Sequence, residues 1–276
     1  MTAHPWLPRT TCDEHCVLSG LGEHGRRTLE AVRCARRITV AVLVLTALPL
    51  LAIPLPGHLR IKRLYCRAML SALGIRITLS GGPVRNLRGI LVVSNHVSWV
   101  DVFTVGAVLP GTFVARADLI DWPAVGVAAR LAKIIPIDRG NLRDLPSVVS
   151  AVAGRLRAGH TVAVFPEGTT YCGTDHGTFR PALFQAAIDA ARPVQPVRLT
   201  YHHRDGKPST VTAFLGEDSL WASLKRTARA HGTVVHLAVR PLELPGAARN
   251  ELAARCEAAV RVTPVSRWEN CASTEA

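Results

Sequence analysis

No aspartate or glutamate occurs between Glu30 and Asp101, although this stretch contains ten arginines and lysines. Over the whole chain of 276 residues the formal net charge is +13. A surplus of this size favours a polyanionic partner, such as nucleic acid, an anionic membrane or a phosphorylated substrate. Aromatic residues make up only 5% of the chain. Because neither an aromatic stacking platform nor a recognition helix is evident, we predict no nucleic-acid partner.

The basic stretch surrounds the most apolar segment of the chain, the uncharged run of residues 38–56. A helix that crosses a bilayer core needs roughly 20 apolar residues, which is about the length of this run. Pro49, Pro54 and Pro56 would bend or end a helix, so a hairpin that enters one leaflet competes with a full span. A buried core helix is the remaining alternative. Basic residues on both sides leave the orientation undecided.

The segment after the apolar run has the pattern of an amphipathic helix. Its basic face contains Arg60, Arg63 and Arg67, and its apolar face contains Ile61, Leu64, Ala68 and Ala72. This pattern is typical of a helix that lies on anionic headgroups, and anionic membrane lipids are therefore a predicted partner. The alternative is a solvated helix of the globular part.

The cysteines exclude a disulfide framework, because there are seven of them at widely scattered positions. Cys12 and Cys16 have metal-ligand character, with His15 between them. No second ligand pair at zinc-site spacing follows, so we interpret them as reduced thiols and predict no metal. A reducing compartment is the simpler interpretation, and we predict a cell-membrane protein whose catalytic domain lies on the cytoplasmic side.

From Ile75 onward, short β-rich runs alternate with helical patterns. Strands are predicted at residues 75–80, 90–94, 112–115, 134–137, 161–165, 194–201, 209–214 and 233–239. Helices are predicted at residues 29–37, 101–108, 122–131, 145–158, 181–191, 220–230 and 249–262. This order predicts an α/β fold with a mixed sheet flanked by helices, preceded by an N-terminal membrane-associated helical segment.

The first candidate site follows the predicted strand at residues 90–94, where the chain reads Ser-Asn-His-Val-Ser-Trp-Val-Asp. Five residues along one regular helix would place His96 and Asp101 about 140° apart, so His96 must lie on the turn before the helix. Contact between them would fix the imidazole tautomer and leave the other ring nitrogen to accept a proton from a hydroxyl. The alternative is that His96 caps the turn and Asp101 merely begins a helix.

Three more predicted strands carry candidate residues. Asp138-Arg139-Gly140 and Glu167-Gly168-Thr169 stand at strand ends, and Pro196 comes after another apolar run. The planar guanidinium of Arg139 matches a phosphate, and Gly168 allows backbone N–H groups to approach a ligand closely. Each segment also has an interpretation as an ordinary strand end or tight turn. Four such ends on successive strands indicate one shared edge.

Together these segments resemble the signature of the 1-acylglycerol-3-phosphate O-acyltransferase (lysophosphatidic acid acyltransferase) family of glycerolipid acyltransferases. The matching blocks are His96-Val-Ser-Trp-Val-Asp101, Ile137-Asp138-Arg139, Phe165-Pro166-Glu167-Gly168-Thr169 and Pro196, in the order of the family. The resemblance covers roughly residues 70–201. It implies that His96 is the general base, that Asp101 orients it and that no acyl-enzyme forms. It also implies that substrate is bound by Arg139, Glu167, Gly168, Thr169 and Pro196.

The resemblance further implies transfer of a fatty acyl chain to the sn-2 hydroxyl of 1-acyl-glycerol-3-phosphate, giving phosphatidic acid for phospholipid biosynthesis. The acyl donor would be an acyl-CoA or acyl-carrier-protein thioester, with no further cofactor. Another lysolipid, such as lyso-ornithine lipid, is the alternative acceptor, and a non-catalytic membrane adaptor is the alternative from another class. No G-x-S-x-G segment occurs, so an α/β-hydrolase mechanism lacks its serine.

The same observations predict four segments along the chain. They are a polar N-terminal segment at residues 1–37, membrane-anchoring helices at 38–73, the acyltransferase domain at 74–265 and a tail at 266–276.

Overall fold

The computed structural model describes residues 7–18, 27–52, 57–83, 87–122, 125–216 and 218–262. The α-helices of these residues are α1 Glu14–Leu18, α2 Arg27–Thr46, α3 His58–Ala72, α4 Val100–Val108, α5 Val125–Leu131, α6 Leu145–Arg157, α7 Phe184–Asp189, α8 Leu220–Arg229 and α9 Arg249–Arg261. The strands are β1 Ile75–Gly81, β2 Leu91–Ser94, β3 Thr112–Arg116, β4 Ile135–Ile137, β5 Val162–Val164, β6 Val194–His203 and β7 Thr233–Val239. Short 3-10 helices lie at Leu48–Ala52, Ala117–Asp121, Leu142–Asp144 and Pro181–Leu183.

The strands form one seven-stranded sheet in the order β1-β7-β6-β2-β5-β3-β4. Neighbouring strands are parallel except for β6 and β7, which are antiparallel. The prediction of a mixed sheet flanked by helices is therefore confirmed. Because β6, β2, β5, β3 and β4 all run in one direction, their carboxyl ends lie along the same edge of the sheet.

Helices cover both faces of this sheet. Along β2, Val92 packs into a core cluster shared with α3 and α4, whereas Leu91 and Val93 pack into a second cluster shared with α6, α7 and α9. Successive side chains of a strand point to opposite faces, so a continuously apolar strand fills both clusters. Burial on both faces of the sheet thus explains why strands such as β2 are apolar at consecutive positions.

The segment at residues 209–214, which we predicted as a strand, is a turn with irregular backbone. Its consecutive residues Val211, Thr212 and Ala213 are all buried, so burial does not alternate as it would in a half-buried strand. Arg226 of α8 donates to the carbonyl oxygens of Val211 at 2.9 Å and Ala213 at 2.6 Å. These peptide groups are therefore satisfied by a guanidinium rather than by a neighbouring strand.

The apolar run of residues 38–56 does not form one separate helix in the described residues. The helix α2 begins before it, at Arg27, and ends at Thr46, after which a 3-10 helix contains Pro49. Residues 53–56 lie outside the described residues. In the part of the chain that the structure describes, no helix has the length and apolar character needed to cross a bilayer, so the full span, one of the two membrane alternatives, is not found there.

The helix α3 forms where an amphipathic helix was predicted, but the face that it buries shares only Ala72 with the predicted apolar face. Its buried side chains are Tyr65, Met69, Leu70 and Ala72, which pack towards α4 and the sheet. Leu64, which we placed on the apolar face, is 69% exposed. The sequence pattern had combined a core-facing row and a solvent-facing row of apolar residues into one face.

Candidate active site

His96 lies on the irregular turn between β2, which ends at Ser94, and α4, which begins at Val100. Asp101 occupies the first turn of α4, and its Oδ2 lies 2.8 Å from Nδ1 of His96. The structure therefore brings the pair together in the way that the helical geometry requires. The His96 side chain remains 16% exposed, so a ligand can reach the ring.

The Asp101 carboxylate is fully buried and accepts hydrogen bonds on both oxygens. Besides His96, Oδ2 accepts from the backbone N–H groups of Val97 at 2.7 Å and Ser98 at 2.8 Å. Oδ1 accepts from the hydroxyl of Tyr201 at 2.5 Å. Because Nδ1 of His96 faces an acceptor that other donors already engage, Nδ1 carries the proton and Nε2 is the basic nitrogen.

Tyr201 lies on β6, and its side chain is buried in the cluster that contains Val97 and Val100. Burial raises the pKa of the Tyr201 phenol well above its usual value, and the adjacent negative charge of Asp101 raises it further. The phenol therefore stays protonated and acts as a donor. It holds the carboxylate oxygen of Asp101 that His96 does not contact.

The loop after β5 fixes both the ring and the backbone of His96. The ring of Phe165 stacks on the imidazole, with centroids 4.1 Å apart and planes 11° from parallel. The N–H of His96 donates to Oε2 of Glu167 at 2.7 Å, and its carbonyl accepts from the N–H of Tyr171 at 2.9 Å. These contacts limit rotation of the turn and of the ring.

Glu167 points into the protein rather than towards solvent, since it is only 3% exposed. Its Oε1 accepts from the N–H of Gly177 at 3.2 Å, while Oε2 accepts from His96. Burial raises the pKa of the Glu167 carboxyl to about 8, and the two backbone N–H donors only partly offset this effect. The carboxyl group therefore joins two loops, and it does not line the exposed part of the site.

Gly168 and Thr169 form the turn that follows Glu167. Gly168 has φ +75°, a conformation that favours glycine, and an added Cβ would lie 2.8 Å from Cγ of Pro8. The N-terminal segment thus packs directly over this turn. Thr169 is partly exposed beside it.

Arg139 follows β4 and lies among other charged side chains of the same edge. The pKa of Arg139 is affected by the charges of three neighbours: Arg116 at the end of β3, Arg180 and Asp118. Burial lowers the pKa of Arg139 to about 10, and the two neighbouring arginines contribute to the decrease, so the group remains charged at neutral pH. Asp118 is paired with Arg116 through bonds of 3.0 Å and 2.6 Å. Three guanidinium groups and one carboxylate leave a local excess of positive charge, which suits an anion.

Pro196 lies within β6, level with Val93 of β2, and is buried. Its carbonyl accepts from the N–H of Arg240 at 3.1 Å. Pro196 therefore lies inside the sheet, whereas His96, Gly168 and Arg139 lie at or beyond its carboxyl edge. The structure groups six of the seven predicted site residues around this edge and places Pro196 below it.

Four residues around the site were not predicted. Phe165 belongs to the Phe-Pro-Glu-Gly block, so the sequence placed it near the site. Its stacking on the His96 ring was not predicted. Arg116 directly follows the predicted strand at residues 112–115, and Arg180 precedes a predicted helix, so both were visible as strand-end or loop cations. Tyr201 could not be found from sequence, because its contact depends on the pairing of β6 with β2.

Comparison with known proteins places this site in a family. Residues 76–200 match the family model described as Acyltransferase. The lyso-ornithine lipid O-acyltransferase of Pseudomonas aeruginosa is 35% identical over 208 residues, which cover 75% of this chain and 79% of that protein. The 1-acyl-sn-glycerol-3-phosphate acyltransferase of Neisseria meningitidis is 38% identical over 141 residues, covering 51% of this chain and 55% of that protein.

The fold is also similar to a solved structure, that of the 1-acyl-sn-glycerophosphate (LPA) acyltransferase PlsC from Thermotoga maritima. The similarity has a TM-score of 0.60 at 18% sequence identity, and it covers 86% of this chain and 96% of that chain. Residues 76–200, which match the family model, contain the His96–Asp101 pair, the Phe165–Gly168 segment and Arg139. The chain belongs to the acyltransferase family that includes these lyso-ornithine lipid and 1-acyl-sn-glycerol-3-phosphate acyltransferases.

Proposed function

We propose that this protein transfers a fatty acyl chain from acyl-CoA or acyl-carrier protein to the sn-2 hydroxyl of 1-acyl-glycerol-3-phosphate, giving phosphatidic acid. The observation that carries the proposal is the contact between Nδ1 of His96 and the buried Asp101, at the edge where Arg139, Arg116 and Arg180 gather. A base for a hydroxyl and a cationic site for a phosphate thus lie along one sheet edge.

The proposed reaction proceeds in two steps. The acceptor hydroxyl gives its proton to Nε2 of His96 while its oxygen attacks the thioester carbonyl, and Asp101 stabilises the imidazolium that forms. The tetrahedral intermediate then breaks its carbon–sulfur bond, and the departing thiolate takes the proton from Nε2. No cofactor is needed beyond the thioester cosubstrate. General-base assistance of this kind is worth about 10² to 10⁴ in rate.

The acceptor is proposed from the charge at the edge of the sheet. A phosphate monoester carries up to two negative charges, and a cluster of Arg116, Arg139 and Arg180 with Asp118 offers a matching excess of positive charge. Gly168 and Thr169 stand at the turn beside Arg180, since an added Cβ on Gly168 would lie 3.5 Å from its Cδ. We infer that this turn contacts the acceptor headgroup, whereas Glu167 acts as a positioning residue.

A lyso-ornithine lipid is the second candidate acceptor. Two relatives of that name match over a large share of this chain: the Pseudomonas aeruginosa protein, and a Rhodobacter capsulatus protein that is 30% identical over 87% of the chain. An ornithine headgroup carries an ammonium as well as a carboxylate. The excess of guanidinium groups beside Arg139 favours the phosphate.

We also propose that the protein acts at the cell membrane, with its catalytic domain on the cytoplasmic side. Apolar side chains on α2 and α3 stand exposed, among them Val32 at 67%, Leu43 at 62% and Leu64 at 69%. Several large exposed apolar side chains on two neighbouring helices are typical of a membrane-binding face. Arg33, Arg36 and Arg76 line a cavity near the first turns of α2, where they would face anionic headgroups.

The test compares purified wild type with His96→Ala on a panel of lysolipids, using acyl-CoA and measuring released thiol. We expect wild type to acylate 1-acyl-glycerol-3-phosphate, and His96→Ala to lose about 10² to 10⁴ of that rate. The matched control is His160→Ala, since His160 is exposed after α6 and away from the site. Near-normal turnover by His96→Ala would rule out the mechanism.

A second comparison tests the acceptor. Arg139→Ala should raise KM for 1-acyl-glycerol-3-phosphate about 10- to 100-fold, the effect expected for one hydrogen bond to a charged group, and leave KM for acyl-CoA little changed. Arg143→Ala is the control, because this exposed arginine lies only four residues further along the chain. Preferential turnover of lyso-ornithine lipid by wild type would contradict the acceptor while leaving acyl transfer intact.

A further inference from the structure

Three cysteines meet beside the active-site loop although they are far apart in the chain. The sulfur atoms of Cys12, Cys16 and Cys172 all lie within 4.8 Å of one another. Cys172 follows Cys12 by 160 residues, so the cluster exists only in the folded protein. The sequence had shown a pair without further ligands at zinc-site spacing, and the fold supplies a third thiol.

We propose that these three thiols form a binding site for a single zinc ion or a similar thiophilic divalent cation. Zinc is bound by thiolates at about 2.3 Å in a tetrahedron, so its sulfur ligands lie about 3.8 Å apart. The observed separations require the sulfurs to move closer by at most about 1 Å, which rotation of the cysteine side chains can supply. Three protein ligands leave one coordination position for solvent.

The surroundings of the sulfur atoms suit metal-bound thiolates. The backbone N–H of Cys172 donates to Sγ of Cys12 at 3.3 Å, and the Thr174 hydroxyl lies 2.9 Å from Sγ of Cys172. Donors of this kind orient metal ligands and stabilise their negative charge. Cys12 is 7% exposed and Cys172 is 1% exposed, so these two ligands are shielded from bulk water, whereas Cys16 is partly exposed.

A bound ion would connect the N-terminal segment to the loop that holds His96. The segment already contacts this loop, because Tyr171 donates its hydroxyl to the carbonyl of Arg9 at 3.2 Å and Thr11 bonds to Asp175. Tyr171 in turn donates its N–H to the carbonyl of His96 at 2.9 Å. The inferred role is structural: the ion fixes residues 7–18 over the turn at Gly168 and restrains the histidine loop.

The test uses the full chain, produced in zinc-supplemented medium and purified under reducing conditions without chelator. We expect about one zinc ion per chain by elemental mass spectrometry in wild type, and almost none in Cys12→Ser or Cys172→Ser. The matched control is Cys256→Ala, because Cys256 is equally buried but belongs to the core cluster on the other face of the sheet. This variant should keep its zinc.

A second measurement does not depend on whether the serine variants fold. Cobalt(II) added to the metal-free wild-type protein should give thiolate-to-cobalt charge-transfer absorption and the visible bands of a tetrahedral complex. Stoichiometric cobalt binding with these bands supports the site, and zinc should displace them. Metal-free wild type that shows no such absorption under reducing conditions would overturn the proposal. A disulfide between Cys12 and Cys172, found by peptide mass spectrometry in protein purified without reductant, would also overturn it.

Discussion

Replacing Tyr201 with phenylalanine removes one hydroxyl and leaves the ring in place. That hydroxyl donates to Oδ1 of Asp101 at 2.5 Å, and both groups are buried. The variant therefore leaves a buried carboxylate oxygen without its donor while keeping apolar packing intact. The other oxygen keeps its bonds to His96, Val97 and Ser98.

The size of the effect follows from the charge on Asp101. A hydrogen bond to a charged group contributes about 1.5–3 kcal/mol to stability, so Tyr201→Phe should lower the free energy of unfolding by that amount. Asp101 would also lose one of the contacts that fix its position, so the orientation of His96 would be less well defined and kcat should fall.

Tyr65 offers a matched control in the same core cluster. Its hydroxyl is buried and has no hydrogen-bond partner among the residues that the structure describes. Tyr65→Phe removes an unsatisfied polar group, so it should leave stability unchanged or raise it. Chemical denaturation gives the stability of both variants, and thiol release from acyl-CoA gives their kcat. If the two variants match in stability and in kcat, the assigned role of Tyr201 is wrong.

Three further variants test other contacts. Burial raises the pKa of Glu167 from 4.5 to about 8, so the folded state binds a proton more tightly than the unfolded chain does. The free energy of unfolding should therefore fall as pH rises between these two values, by up to about 1.4 kcal/mol per pH unit. Glu167→Gln should remove this part of the slope in denaturation measured at several pH values, and an unchanged slope would show that the group is ionised throughout. Gly168→Ala should lower the free energy of unfolding by about 1–2 kcal/mol, because the backbone is left-handed there and the new Cβ would approach Pro8. It should also make residues 7–18 more sensitive to limited proteolysis, and protease sensitivity equal to that of wild type would contradict the packing of this segment on the turn. Arg226→Ala should lower the melting temperature more than Arg143→Ala does, because it leaves the carbonyls of Val211 and Ala213 without their guanidinium donor. Equal melting temperatures in the two variants would refute the explanation given for the turn at residues 209–214.

The sequence was sufficient to predict the α/β architecture and the position of the histidine. Alternation of apolar runs with helical patterns is a local signal, and β2 and α4 formed within one residue of their predicted starts. The 140° offset in a regular helix required His96 to lie on a turn, and the structure has it there. The match of four blocks to one family supplied the remaining site residues.

Features that depend on distant pairings were not predictable. The contact of Tyr201 with Asp101 requires the register of β6 on β2, which no local pattern encodes. The Cys172 thiol reaches Cys12 only after the N-terminal segment packs on the loop after β5. The segment at residues 209–214 has a strand-like composition, but its carbonyls bond to Arg226, so composition alone predicted the wrong structure.

Phe165 covers one face of the His96 imidazole, and this bears on regioselectivity in the proposed reaction. The lone pair on Nε2 lies in the ring plane, so a hydroxyl that gives up its proton must arrive edge-on rather than from above the ring. The proposed acceptor has a single free hydroxyl, at sn-2, and a headgroup held by its phosphate must place that hydroxyl along this direction. Discrimination against the 2-acyl isomer, whose free hydroxyl is at sn-1, would then come from the angle of approach, and a smaller side chain at position 165 would weaken this discrimination without weakening headgroup binding.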